Sequence, residues 1–128
     1  NGTGDTEVLL EWIHMFKEKG LDELNGMFSF TYLDLENKIL IMARDRAGEK
    51  PFLYYTDDDF LVFGSEIKAL LETQIPKKEI NYNSISQYFT FGYIPSPNTI
   101  FKNIPRLMIT KFSIHLFKIY CFKFIPFS

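Results

Sequence analysis

Between Thr6 and Lys19, the apolar residues Val8, Leu9, Trp12, Ile13 and Phe16 recur three and four positions apart, and Glu7, Glu11, Lys17, Glu18 and Lys19 occupy positions left toward water. This spacing predicts an amphipathic helix with one face in a core. Asp5 stands where an N-cap belongs, and Gly20 where the helix should stop. After Asn25-Gly26 the period changes. Met27 to Leu33 and Lys38 to Ala43 read as two strands joined at Asp34-Leu-Glu-Asn37, a hairpin with a loop of about four residues. Phe28, Phe30 and Tyr32 share one face, yet Met27 and Leu33 on the other are apolar too, as are Ile39 to Met42. Strands apolar on both faces are covered on both sides. The pattern therefore predicts a layered α+β structure, with a second sheet or helices over each face.

Ala43 to Tyr55, a charged turn containing Gly48 and Pro51, links this hairpin to a second one. Its strands are Phe52 to Thr56 and Phe60 to Phe63, set around Asp57-Asp-Asp59. Three consecutive aspartates in a tight turn diverge, whereas Ca²⁺ loops alternate their ligands and place a glycine at the bend, so these read as a solvated turn. Glu66 to Glu72 predicts a helix with Ser65 as N-cap and Ile67, Leu70 and Leu71 facing inward. From Thr73 the texture shifts. Pro76-Lys-Lys-Glu79 reads as a linker, Asn83 to Phe89 as a short helix capped by Asn83 or Ser84, and Gly92 to Pro97 as an extended segment whose prolines bar it from a central strand. Thr99 to Leu107 reads as a further connector, so the compact layer is expected to end near Glu72. Residues 108–128 hold five Phe and three Lys but no acid, and are expected to form a strand pair lacking its partner.

Composition narrows the classes. The 128 residues are 46% hydrophobic and 17% aromatic, which excludes disorder and favours aromatic-layered sheets. A net charge of −2 offers no basic face for nucleic acid. The lone Cys121 leaves no internal disulfide and no cysteine zinc site, and His14 and His115 add no metal spacing, which suits a reducing, cytoplasmic setting. No apolar run approaches the roughly 20 residues that span a bilayer, so no membrane partner is expected. A first residue of Asn rather than Met is read as the mark of a fragment.

Gly2-Thr-Gly4 before a helix is an incomplete phosphate cradle, without a preceding strand or a third glycine. Asp5 has two readings, a cap on the helix or a carboxylate turned outward to bind an ammonium group. Arg44, Asp45, Arg46, Glu49 and Lys50 form either a surface ion network or a loop that locks strand ends beside a site. Gly48 there permits a backbone angle closed to most residues, and Pro51 fixes entry to the next strand. Cys121 has neither base nor helix terminus near it in sequence, and is not read as a nucleophile.

Four ordered motifs carry a resemblance: Gly4-Asp-Thr-Glu-Val-Leu-Leu10, Leu24-Asn-Gly-Met-Phe-Ser-Phe30, Ala43 to Tyr55, and Phe63-Gly-Ser-Glu-Ile-Lys-Ala-Leu70. In this order they resemble the glutaminase domain of glutamine-hydrolysing asparagine synthetases, and Gly92 to Phe101 resembles the connector toward the synthetase domain. The resemblance covers about residues 4 to 107. It implies a class II amidotransferase, with part of the αββα sandwich of N-terminal-nucleophile hydrolases, and residues 1–75 as the C-terminal part of the glutaminase domain. Residues 76–107 would be the connector and 108–128 a divergent or truncated tail.

In that family an N-terminal cysteine attacks glutamine, and the released ammonia converts aspartate, activated by ATP and Mg²⁺, to asparagine. The resemblance places Asp5 on the α-amino group of glutamine, with Gly4 in the same binding turn. Arg44, Asp45, Gly48, Lys50, Pro51, Ser65 and Glu66 would be structural neighbours of the site. It implies that the nucleophile, the arginine that holds the glutamine carboxylate, the oxyanion-hole Asn-Gly pair, and the ATP and Mg²⁺ sites all lie outside this chain, which alone should be inactive, without catalytic residue, metal or cofactor. Another class II amidotransferase, or a non-catalytic remnant or interaction module, stays open beside it, as does a homodimer.

Overall fold

A computed structural model describes residues 4–108 and, for the backbone, 112–115. It is an α+β structure whose contacts divide it into two units, one of residues 4–49 with 112–115 and the other of residues 50–108. The Gly2-Thr3 part of the incomplete cradle, Cys121, and most of the tail fall outside the described residues.

In the first unit, helix α1 (Asp5–Phe16) runs into a 3-10 helix (Lys17–Glu23), followed by strands β1 (Ser29–Asp34) and β2 (Ile39–Arg44) and, from the tail, β5 (Phe112–His115). β2 is central, antiparallel to both neighbours in the order β1-β2-β5. The register sets Phe30 against Ala43 and Tyr32 against Ile41. It gathers Tyr32, Ile41 and Ala43 on one face, where α1 and the 3-10 helix deliver Ile13 and Leu21, with Phe28, Phe30, Leu9 and Trp12 partly buried around them. Leu40 and Met42, on the opposite face, are just as deeply buried.

The helix departs from expectation at both ends. It begins one residue early, with Gly4 as N-cap and no side-chain capping bond, so Asp5 is the first helical residue and not the cap. It ends three residues short of Lys19, because Lys17 turns to φ 50. Lys17 was expected in water, but its ammonium reaches Asp34 Oδ2 at 2.5 Å and the Tyr32 hydroxyl at 3.1 Å. Gly20 is no helix stop but a point of close approach: its carbonyl accepts from Trp12 Nε1 at 2.9 Å, and a Cβ on it would lie 2.7 Å from that nitrogen. Val8, expected in the core, is exposed, as are Phe16 and Met27.

The second unit is built on the hairpin β3 (Leu53–Thr56) and β4 (Leu61–Gly64), with helices α2 (Ile67–Glu72) and α3 (Tyr82–Phe91). Asp57 shapes the turn, its Oδ1 accepting from the backbone of Asp59 and Phe60 at 3.0 and 2.7 Å. The N-cap of α2 is Glu66, without a side-chain bond, and not Ser65. The N-cap of α3 is Asn81, whose Oδ1 accepts from Ser84 N at 3.4 Å, and not Asn83 or Ser84.

The stretch after Pro76 does not trail from a finished layer. Ile104, fully buried, packs with Leu53, Tyr55, Val62 and Leu70. Leu107 N donates to Phe52 O at 2.8 Å, and Tyr54 N to Pro105 O at 3.2 Å. The core of this unit therefore extends well beyond Glu72.

Candidate functional site

Gly4 and Asp5 open α1. Gly4 is extended, at φ −88° and ψ 149°, and its carbonyl receives Glu7 N at 3.0 Å and Val8 N at 3.3 Å, which closes the first turn. Asp5 is exposed, and with Glu7 it sets two carboxylates in that first turn. The aligned peptide dipoles favour negative charge there. A carboxylate so placed, not engaged as the N-cap, is suited to receive an ammonium group.

What fixes this helix lies toward its other end. Ile13 is anchored in the core, Trp12 is tied to Gly20, and the His14 ring nitrogen Nδ1 lies 3.0 Å from the Tyr32 hydroxyl. Lys17 binds Asp34 and lies 5.1 Å from the centre of the Tyr32 ring. Asp34 also accepts from the backbone and side-chain nitrogens of Asn37, both at 2.9 Å. The Lys17 ammonium, then the Asn37 donors, hold the Asp34 carboxyl well below the usual carboxylate range, and Asp34 followed by Tyr32 raises Lys17. None of these tertiary partners was signalled in the sequence, since Lys17 carries the same helix-surface pattern as its charged neighbours.

Arg44, Asp45 and Gly48 meet in one turn. Asp45 is almost fully buried; its backbone N donates to Phe28 O at 2.8 Å, and its Oδ1 accepts from Glu49 N at 2.9 Å. Gly48 N returns to Asp45 O at 3.0 Å, and the Arg44 guanidinium donates to Gly48 O. The Arg46 guanidinium donates to Asp22 O, tying the turn to the 3-10 helix. Arg44, Asp45 and Arg46 each bond a backbone group through the side chain, which braces the strand ends. Lys50 and Pro51 are exposed at the start of the second unit, where Ser65 is half-buried and Glu66 exposed before α2.

Two residues that sequence reading passed over organise residues 94–106. Thr99 is buried, its hydroxyl 2.6 Å from Ile104 O while it accepts from Phe101 N at 3.2 Å. Arg106 Nη1 donates to Ile94 O at 2.9 Å and to Asn98 O at 2.7 Å. An arginine surrounded by apolar and proline residues was the available signal, because such a charge needs several acceptors when half-buried.

Comparison with known proteins gives this arrangement its context. The glutamine amidotransferase domain family matches residues 1–118. A Methanocaldococcus jannaschii protein provisionally named asparagine synthetase [glutamine-hydrolyzing] 2 is 42% identical over 108 residues, 80% of this chain and 20% of the relative. Two Bacillus subtilis proteins, asparagine synthetase [glutamine-hydrolyzing] 3 and 1, are 41% and 36% identical over 106 and 107 residues, in each case 17% of the relative. The chain thus spans about a fifth or less of these relatives. With a family match that runs through both hairpins and all three α-helices, the chain belongs to the glutamine amidotransferase domain family.

Proposed function

We propose that this chain is part of the glutaminase domain of a glutamine-hydrolysing asparagine synthetase, with residues 1–75 from that domain, 76–107 leading toward a synthetase portion and 108–128 a divergent or truncated tail. The observation that carries the reading is the family match over residues 1–118, joined to the names of the relatives. The hairpins β1-β2 and β3-β4 would then belong to the two sheets of an αββα sandwich. Asp5 would receive the α-amino group of glutamine, aided by the open backbone at Gly4. The Arg44–Gly48 turn would hold the strand ends and make no substrate contact.

The cysteine nucleophile, the carboxylate-binding arginine and the oxyanion donors would come from sequence outside this chain. So would the sites for aspartate, ATP and Mg²⁺. Among the described residues no three His, Cys, Asp or Glu side chains are grouped to hold a metal. No helix among them is long and apolar enough to cross a membrane, and a cytoplasmic setting is part of the proposal.

The test is glutamate and asparagine formation by the full-length gene product. Asp5→Asn should raise the KM for glutamine while leaving asparagine synthesis from added ammonia unchanged. Release of no glutamate by the full-length enzyme would overturn the glutaminase reading, and an unaltered glutamine KM would remove Asp5 from the site.

A further inference from the structure

Asn25 and Gly26 stand between the 3-10 helix and β1, and both are exposed. Neither makes a hydrogen bond among the described residues. The backbone is tied before them by Leu24 N to Leu21 O at 3.3 Å, and after them by Asp45 N to Phe28 O at 2.8 Å. Gly26 has φ 106°, and a Cβ built on it would meet no atom within 4 Å. An asparagine side-chain amide can be reached by the next residue's backbone nitrogen, closing a five-membered ring. A following side chain crowds that nitrogen, and glycine has none. The other asparagines among the described residues each precede a residue with a side chain. Asn37 Nδ2 donates to Asp34 Oδ2 at 2.9 Å, Asn98 Nδ2 to Gln87 Oε1 at 3.3 Å, and Asn103 bonds the Glu79 side chain. Asn81 caps α3, and Asn83 lies within it.

We propose that Asn25-Gly26 is a self-modifying site, at which the chain converts its own asparagine to aspartate and isoaspartate with water as the only co-reactant. The Gly26 nitrogen gives up its proton to hydroxide and attacks Asn25 Cγ. The N–Cγ bond forms, the Cγ–Nδ2 bond breaks, and Nδ2 takes a proton from water and leaves as ammonia. Water then opens the cyclic imide. Breaking the new N–Cγ bond leaves aspartate; breaking the bond from that nitrogen to the Asn25 carbonyl carbon leaves isoaspartate, with the main chain running through Cβ and Cγ. Nothing is oxidised or reduced, since an amide and water become a carboxylic acid and ammonia. Either product sets a new carboxylate within three positions of Asp22 and Glu23. Isoaspartate also adds one backbone atom ahead of Phe28, whose carbonyl receives the buried Asp45. None of this depends on the glutaminase reading.

The experiment incubates the full-length gene product, native and in urea, at neutral and at mildly alkaline pH. Peptide mapping by mass spectrometry then places each exchange of NH for O, and fragmentation separates isoaspartate from aspartate. In the native protein Asn25 should convert nearly as fast as in urea, and faster at the higher pH, while Asn37, Asn98 and Asn103 keep their amides. Isoaspartate should accompany aspartate at residue 25, because direct hydrolysis of the side chain cannot produce it. Asn25→Gln, whose longer side chain no longer closes a five-membered ring on Gly26 N, should lose the conversion. Conversion in urea but not in the native protein overturns the inference, as does no conversion in either. Aspartate without isoaspartate also overturns it, as does native conversion of Asn37, Asn98 and Asn103 as fast as Asn25.

Discussion

Replacing Gly48 tests whether the central turn is a backbone device. Its φ of 66° lies in the left-handed region, and a Cβ there would stand 3.2 Å from both Cζ and Nη2 of Arg44. An L-residue in that region costs roughly 1–2 kcal/mol. Alanine would recover part of this, about 0.4–1 kcal/mol, by restricting the unfolded chain. Arg44 must also give by a few tenths of an ångström, loosening its bond to Gly48 O, a partly exposed contact worth about 1 kcal/mol. Gly48→Ala should therefore destabilise by about 1–2 kcal/mol. Gly48→Asn, whose side chain tolerates this region, should cost about 1 kcal/mol or less. Gly48→Val adds a branched Cβ to the strained backbone and should exceed about 3 kcal/mol, a large part of an ordinary domain's 5–15. Urea unfolding followed by circular dichroism reads the series through its midpoints at constant slope. If valine unfolds at the same urea concentration as glycine, the turn does not need its left-handed residue and the reasoning is wrong.

Gly20→Ala should cost about 1–3 kcal/mol, since the new methyl meets Trp12 Nε1 at 2.7 Å and Phe16 Cβ at 2.9 Å, and quenched, shifted indole fluorescence would report the displaced ring. Asp34→Asn should remove a pH-dependent contribution. Because the folded-state value is depressed, that contribution is fully present above the unfolded value of about 4 and is lost as pH falls through the lower folded value. The wild-type advantage in urea midpoint should thus stay constant above about pH 5 and shrink on acidification; a gap independent of pH would contradict the pairing with Lys17. Arg106→Met should free the carbonyls of Ile94 and Asn98 and cost about 1–3 kcal/mol, with faster amide exchange at Asn98 as the local signature.

Among the described residues, local pattern found both hairpins and the three α-helices, though not the 3-10 helix, because alternation and helical periodicity are properties of a few neighbouring residues. It placed the caps less well. Asp5, Ser65, and Asn83 or Ser84 were each chosen as good capping residues, yet the N-caps are Gly4, Glu66 and Asn81, and only Asn81 makes the side-chain bond. The path of the chain entering a helix decides the cap, and at α1 and α2 it leaves no side chain in position to bond. The end of α1 fails for a similar reason, since Lys17 leaves the helix to bind Asp34, seventeen positions away.

Composition misled most where it seemed clearest, after Pro76. Proline, lysine and short apolar runs read as a connector because no period orders them. Yet Ile104 and Leu107 are core residues, held there by backbone pairing with Phe52 to Tyr54 that spans about fifty positions and that no local window contains. The candidate site shows the converse. Nothing in the geometry of the first turn of α1 separates Asp5 from Glu7, both carboxylates beside the same exposed helix end. Only the ordered motifs single out Asp5. The central turn, by contrast, can be read on physical grounds: Asp45 is buried to bind backbone, Gly48 supplies the left-handed angle, and Arg44 closes the loop onto it. The same residues that make the family recognisable there are the ones the fold requires, so their identity reports architecture, and it is the proposed reading alone that assigns substrate contact to Asp5.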